Sequence, residues 1–169
     1  MRGSMYLREV LMLFTFCTGM SYAAGSLAHG GDPTGPVTSV SGETYHPVSR
    51  GTRKLALGEV TIRMLVEASN IGRKDIEVGE LFLPVGSPPS VSHPHTSLEI
   101  FYVVQGILGH EVNGKMYRLN PGDVGFLKPG DQVVHSVLSD GPVEAVVIWV
   151  PGGEADAMVG AGFVEVPLN

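Results

Sequence analysis

Cysteine is almost absent: the one residue of this type, Cys17, lies near the start of the chain. Beyond residue 24 there is no thiol, which excludes a disulfide framework, a thiolate nucleophile and a Cys-ligated metal site. Basic runs are missing too. With 11 Lys and Arg against 17 Asp and Glu, the formal net charge is −6. That balance argues against nucleic acid as a partner, because phosphate binding needs a basic patch. No apolar run reaches the ~20 residues of a membrane-spanning helix. The chain also lacks a long helical periodicity and any internal repeat.

The N-terminus reads as a secretory signal peptide over residues 1–24. Arg2 and Arg8 give a positive start, interrupted by Glu9, and Val10 to Met20 is apolar. Ser21-Tyr22-Ala23 and Ala24 supply small residues for cleavage. The protein is therefore expected to be exported, to a periplasmic or extracellular location, with no stable membrane span after processing. Residues 25–40, with Gly, Ser and Pro throughout, read as a flexible arm, and His29 as a solvated tail residue. His46, outside any motif, reads as structural.

Residues 41–169 read as one all-β domain. Gly 23 and Pro 12 suit short strands joined by tight turns. Val60, Ile62, Met64 and Val66 alternate with Thr61, Arg63 and Leu65, a period of two. Further strands are expected over 76–83, 98–105, 107–112, 115–119, 123–127, 133–138 and 143–150. Asn113-Gly114 is a type I′ hairpin signal. A short helix is expected near 154–159.

Within this body stands His93-Pro94-His95, followed by Glu99 and Gly106. The odd parity of the three side chains places them on one face of one strand. Imidazole and carboxylate suit a divalent transition metal such as Mn, Fe, Ni or Zn. A histidine pair by itself can be a pair of hydrogen-bonded polar groups. A buried Glu99 without a counter-charge, however, costs several kcal/mol or takes up a proton, and a cation removes that difficulty. Phe101 and Val103 share the ligand parity and are expected to face the site, with Ile100 and Tyr102 on the opposite side. Arg63, the lone charge on its strand, is read either as a solvated outward residue or as an inward grip for a substrate carboxylate.

His-x-His-x3-Glu-x6-Gly resembles the first motif of the cupin superfamily, with Gly86 as its start one residue further upstream than usual. Residues 121–130, PGDVGFLKPG, resemble the second motif. Lys128 stands where the family usually has Pro, and Ser139 where it often has Asn. Four residues separate Gly130 from His135, a loop two residues longer than the pattern, in which Asp131 and Gln132 are expected. The resemblance implies a single-domain jelly-roll β-barrel preceded by the N-terminal arm. It also implies one divalent transition metal held by His93, His95, Glu99 and His135.

Three His and one Glu leave coordination positions for water and substrate, which suits catalysis better than a closed structural site. The expected function is a metal-dependent enzyme acting on a small organic molecule, dioxygenase-type first and isomerase or lyase second. The alternative is a non-enzymatic module that binds a small ligand, and metal-dependent turnover separates the two. A homodimer is compatible with either.

Overall fold

Alternation of apolar and polar residues dictates most of the architecture, and hydrogen-bonded turns do the rest. The computed structural model describes residues 37–38 and 44–168. The expected signal peptide, and the arm apart from Val37–Thr38, lie outside the described residues. Two short pieces, β1 (Val37–Thr38) and β2 (Thr44–Tyr45), pair with each other.

The remaining strands are β3 (Arg53–Leu57), β4 (Val60–Val66), β5 (Glu77–Leu83), β6 (His93–Pro94), β7 (Leu98–Gln105), β8 (Leu108–Val112), β9 (Lys115–Leu119), β10 (Val124–Leu127), β11 (Gln132–Val137), β12 (Val143–Val150) and β13 (Val164–Val166). Helices are few: α1 (Ala68–Ile71) and α2 (Glu154–Gly160). Neither α1, β3 nor β13 was expected from the sequence pattern.

A seven-stranded sheet runs β10-β7-β12-β5-β4-β3-β13, and a four-stranded sheet runs β6-β11-β8-β9. Every pairing is antiparallel. From β5 to β12 the chain shuttles between the two sheets, which is the winding of a jelly roll. Among the described residues the sheets are not hydrogen-bonded into a closed barrel.

The core between the sheets follows strand parity. On β5 and β12 every second residue is buried. On β7, Phe101 and Val103 are 2% and 0% exposed while Tyr102 is 47% exposed, so no bulge interrupts the strand between Glu99 and Val103. Leu108, Leu119 and Val133 from the smaller sheet join Leu81, Val147 and Trp149 from the larger one in a single cluster.

Two turns need glycine. Asn113 and Gly114 both have positive φ, 51° and 79°, as the expected type I′ hairpin between β8 and β9 requires. Gly106 has φ 75°, and a Cβ there would run into the carbonyl oxygen of Pro142. This close approach lets the chain leave β7 and cross to β8 in the other sheet. The helix expected near 154–159 is present as α2.

Phe101→Ala should lower stability by about 3–5 kcal/mol, since the ring is buried between the two sheets and its removal leaves a cavity. Denaturant unfolding of the variant checks this; a loss below about 1 kcal/mol would mean that the core closes over the gap.

Candidate metal centre

Proline and a bend split the expected ligand strand. His93 lies on β6, in the four-stranded sheet, where it registers with Val133 of β11. His95 follows the end of that strand, and Glu99 lies on β7, in the seven-stranded sheet. The three side chains are therefore not carried by one strand. Pro94 cannot donate to a continuing ladder, and the bend at Thr96 and Ser97 turns the chain from one sheet to the other. The ligand candidates come together because the chain crosses between sheets at this point.

His93 and His95 face each other with Nε2 atoms 3.0 Å apart. Glu99 Oε2 lies 3.3 Å from His95 Nε2. The far nitrogens are engaged elsewhere: His93 Nδ1 lies 2.7 Å from the Val91 carbonyl oxygen, and His95 Nδ1 lies 3.1 Å from Glu154 Oε2. Both of those partners accept, so each Nδ1–H donates to them, and each ring turns its Nε2 toward the other.

Glu99 is 3% exposed. Its Oε1 accepts a 2.7 Å hydrogen bond from Trp149 Nε1–H. Its Oε2 is buried and has no hydrogen-bond partner. Burial, with a smaller contribution from Glu154, pushes this carboxyl up to about 7, although His95 and Trp149 pull it back. For His95, burial favours the neutral ring, but the hydrogen bond to Glu154 and the charges of Glu99 and Glu154 outweigh it and raise the pKa. Both shifts favour the protonated form of the group concerned.

The donor set fits a divalent transition metal. Two imidazole nitrogens and one carboxylate oxygen converge, one buried oxygen is unpartnered, and outer hydrogen bonds fix both rings, a common support for metal-binding histidines. The two nitrogens, 3.0 Å apart, are close enough that one ion would be held by both. The set is not closed, however. Among the described residues no three His, Cys, Asp or Glu side chains stand ready as a finished ligand group.

His135 has a partner of its own. It lies on β11 opposite His110 of β8, and its Nε2 is 3.2 Å from His110 Nδ1. The two rings stack with centroids 5.3 Å apart. His135 stands 6.5 Å from His93, ring to ring, and 4.6 Å from Phe101. It borders the cluster, with its nitrogen turned to His110. Burial, then repulsion from His110, His93 and His95, holds its pKa well below the ordinary histidine range. His110, 2% exposed, is likewise lowered by burial.

The longer loop before His135 is a tight turn. Asp131 closes it by accepting from the Lys128 backbone N–H at 2.9 Å. Gln132 is already the first residue of β11, so it does not sit in the loop as expected. The turn touches the first motif directly, for Gly130 N–H donates to the His95 carbonyl at 2.9 Å.

Phe101 reaches the site, stacking edge-on against both His110 and His135, and Val103 is buried two residues further along β7. Arg63 does not reach it. It points away from the core side of β4, where Ile62 and Met64 are buried, and its Nε donates at 2.8 Å to Glu80 on the neighbouring strand. Of the two readings of Arg63 the inward grip is corrected and the outward one holds: parity puts it on the outer face, where a cross-strand carboxylate satisfies it. Sequence reasoning missed Glu154 and Trp149. Neither has a local signal, because each reaches the site through strand order from 50 or more residues away.

Residues 79–151 match a family model described as a cupin domain. This stretch is a cupin domain. Solved structures agree on the fold. An RmlC-like cupin from Shewanella frigidimarina is 19% identical, covering 63% of this chain and 88% of that one, with a TM-score of 0.53. A predicted oxalate decarboxylase from Thermotoga maritima is 22% identical, over 68% and 98%, with a TM-score of 0.52. KdgF from a Halomonas species is 19% identical, over 60% and 89%, with a TM-score of 0.52. At these identities the likeness is one of fold. A comparison with curated proteins finds no match.

The raised Glu99 pKa sets a pH dependence in this cupin. A carboxyl at about 7 in the folded chain, against 4.5 ordinarily, binds its proton more tightly when folded. Its contribution is complete below about pH 4.5 and is lost as pH rises through about 7. Without metal, Glu99→Gln should therefore become more stable relative to the parent between pH 4.5 and pH 8, by up to about 3 kcal/mol. Denaturation of chelator-treated protein at both pH values measures it, and parallel pH profiles would remove Glu99 as the source.

Proposed function

We propose that this chain is an exported metal-dependent cupin enzyme acting on a small organic molecule. One observation carries the reading. A buried, unpartnered Glu99 oxygen lies 3.3 Å from His95 Nε2, itself 3.0 Å from His93 Nε2, with both rings oriented from behind. Such a cluster holds either an excess proton or a cation, and a divalent transition metal of the Mn, Fe, Ni or Zn group is the cation that suits two imidazoles and one carboxylate.

His93, His95 and Glu99 would hold the metal, with His135 as the fourth ligand once its ring gives up His110. A metal held there supplies Lewis acidity toward a substrate oxygen and, if it is iron, redox chemistry with O2. The chain's own residues supply the surroundings. Trp149 orients the Glu99 carboxylate, Phe101 packs edge-on against His110 and His135 beside the site, and His110 is the buried imidazole left next to the fourth ligand. Dioxygenase-type chemistry is the first reaction class, with isomerase or lyase chemistry second. Export rests on the apolar stretch Val10–Met20 and the small residues after it.

Purified full chain should carry about one divalent transition metal per molecule, and His95→Ala and Glu99→Gln should lose most of it, because an incomplete site binds poorly. Elemental analysis reads this directly, and full occupancy in either variant would place the metal elsewhere. His135→Ala isolates the fourth position: undiminished occupancy there would leave His135 with His110 only. Substrate screening of the loaded protein, with and without O2, separates an enzyme from a binding module.

A further inference from the structure

Glu154 opens α2, far along the chain from the motif histidines, yet both of its carboxylate oxygens are spent on the short stretch between His95 and Ser97. Oε2 accepts from His95 Nδ1 at 3.1 Å. Oε1 accepts from the Ser97 hydroxyl in a short hydrogen bond and from Thr96 Oγ1 at 3.4 Å. The residue is 7% exposed.

Its place is built from several sides. Glu77 of β5 accepts from the Ala155 backbone N–H at 3.0 Å. Gly152 N–H donates to the Lys74 carbonyl at 3.1 Å. A Cβ at Gly152 would stand 2.9 Å from Glu77 Cγ and 3.2 Å from the Ile76 backbone, so only glycine lets the chain pass this close. Asp156 binds Arg53 of β3 at 2.8 Å, and Ala155 is fully buried. These contacts leave Glu154 little freedom. A carboxylate needed only for solubility or for a surface ion pair would not be held this way.

We propose that Glu154 is a positioning residue of the metal centre: its carboxylate keeps the proton of His95 on Nδ1 and so turns the Nε2 lone pair toward His93 and Glu99. The inference rests on the metal reading above and adds a residue to it from outside both cupin motifs. It also makes the C-terminal helix part of the site. His93 has a neutral carbonyl in the same role, whereas His95 has an anion, so His95 is the stronger donor of the two. The Glu154 carboxylate accepts from three side chains, His95, Thr96 and Ser97.

The test titrates the full chain with Co2+ alone, after chelator treatment, following visible absorption and heat. Glu154→Gln keeps an acceptor for Ser97 but loses the anion, and should bind Co2+ about 10–100-fold more weakly than the parent, with an altered absorption band. Glu154→Asp should recover part of that loss. The melting temperature of each metal-free variant is measured alongside. Parent-like Co2+ affinity in Glu154→Gln, while His95→Ala abolishes binding, overturns the proposal and leaves the metal site standing. A fall in metal-free melting temperature with unchanged affinity assigns Glu154 a purely structural role and also overturns it. Failure of the parent itself to bind Co2+ overturns both.

Discussion

The site depends on one electrostatic problem: a carboxylate, Glu99, placed in the core with no permanent cation beside it among the described residues. In a low-dielectric interior such a group must be neutralised or paired. Trp149 satisfies one oxygen, and the second is left facing His95. The pairing on offer is a proton shared with an imidazole or a metal ion shared with two. The rest of the centre follows from that demand, since the histidines must be close enough to share the charge and oriented firmly enough to accept it.

The jelly roll meets the demand by crossing. The stretch from His93 to Glu99 leaves one sheet and enters the other, so residues adjacent in sequence end up facing across the core. Opposite them, β11 brings His135 and β8 brings His110, matched in register. The turn at Gly130 donates to the His95 carbonyl, and Ser90 brackets the His135 backbone, donating to its carbonyl at 2.8 Å and accepting from its N–H at 2.9 Å. The two motifs are therefore tied through backbone as well as through side chains. Rigid strands and backbone pins of this kind hold a ligand set more closely than a loop can.

The outer face of the larger sheet shows how the same alternation separates structural charge from chemical charge. Arg63 and Glu80 are cross-strand neighbours on that face, so each satisfies the other and neither has to be buried. Glu77 lies on the same strand as Glu80 but three residues earlier, which turns it inward, where it holds the start of α2. One strand thus carries a surface ion pair and a buried support for the far end of the chain.

Much of this is legible in the residues themselves. The all-β class, most strand positions, the Asn113-Gly114 hairpin and the facing of Phe101 against Tyr102 follow from local rules, since period two and turn chemistry act over a few neighbouring residues, and the jelly roll was implied by the resemblance to the cupin motifs. The grouping of His93, His95 and Glu99 was legible too, although parity along one strand was the wrong cause. What the linear pattern could not contain is whatever depends on which strands become neighbours. Arg63 looked available until Glu80 lay beside it. His135 was matched by motif, but its nitrogen direction was decided by His110 on the adjoining strand. Glu154 and Trp149 carried no local mark, because a carboxylate or an indole acquires a role in the site only when the stacking of two sheets and the docking of the last helix bring it within hydrogen-bond reach of a residue 50 or more positions away.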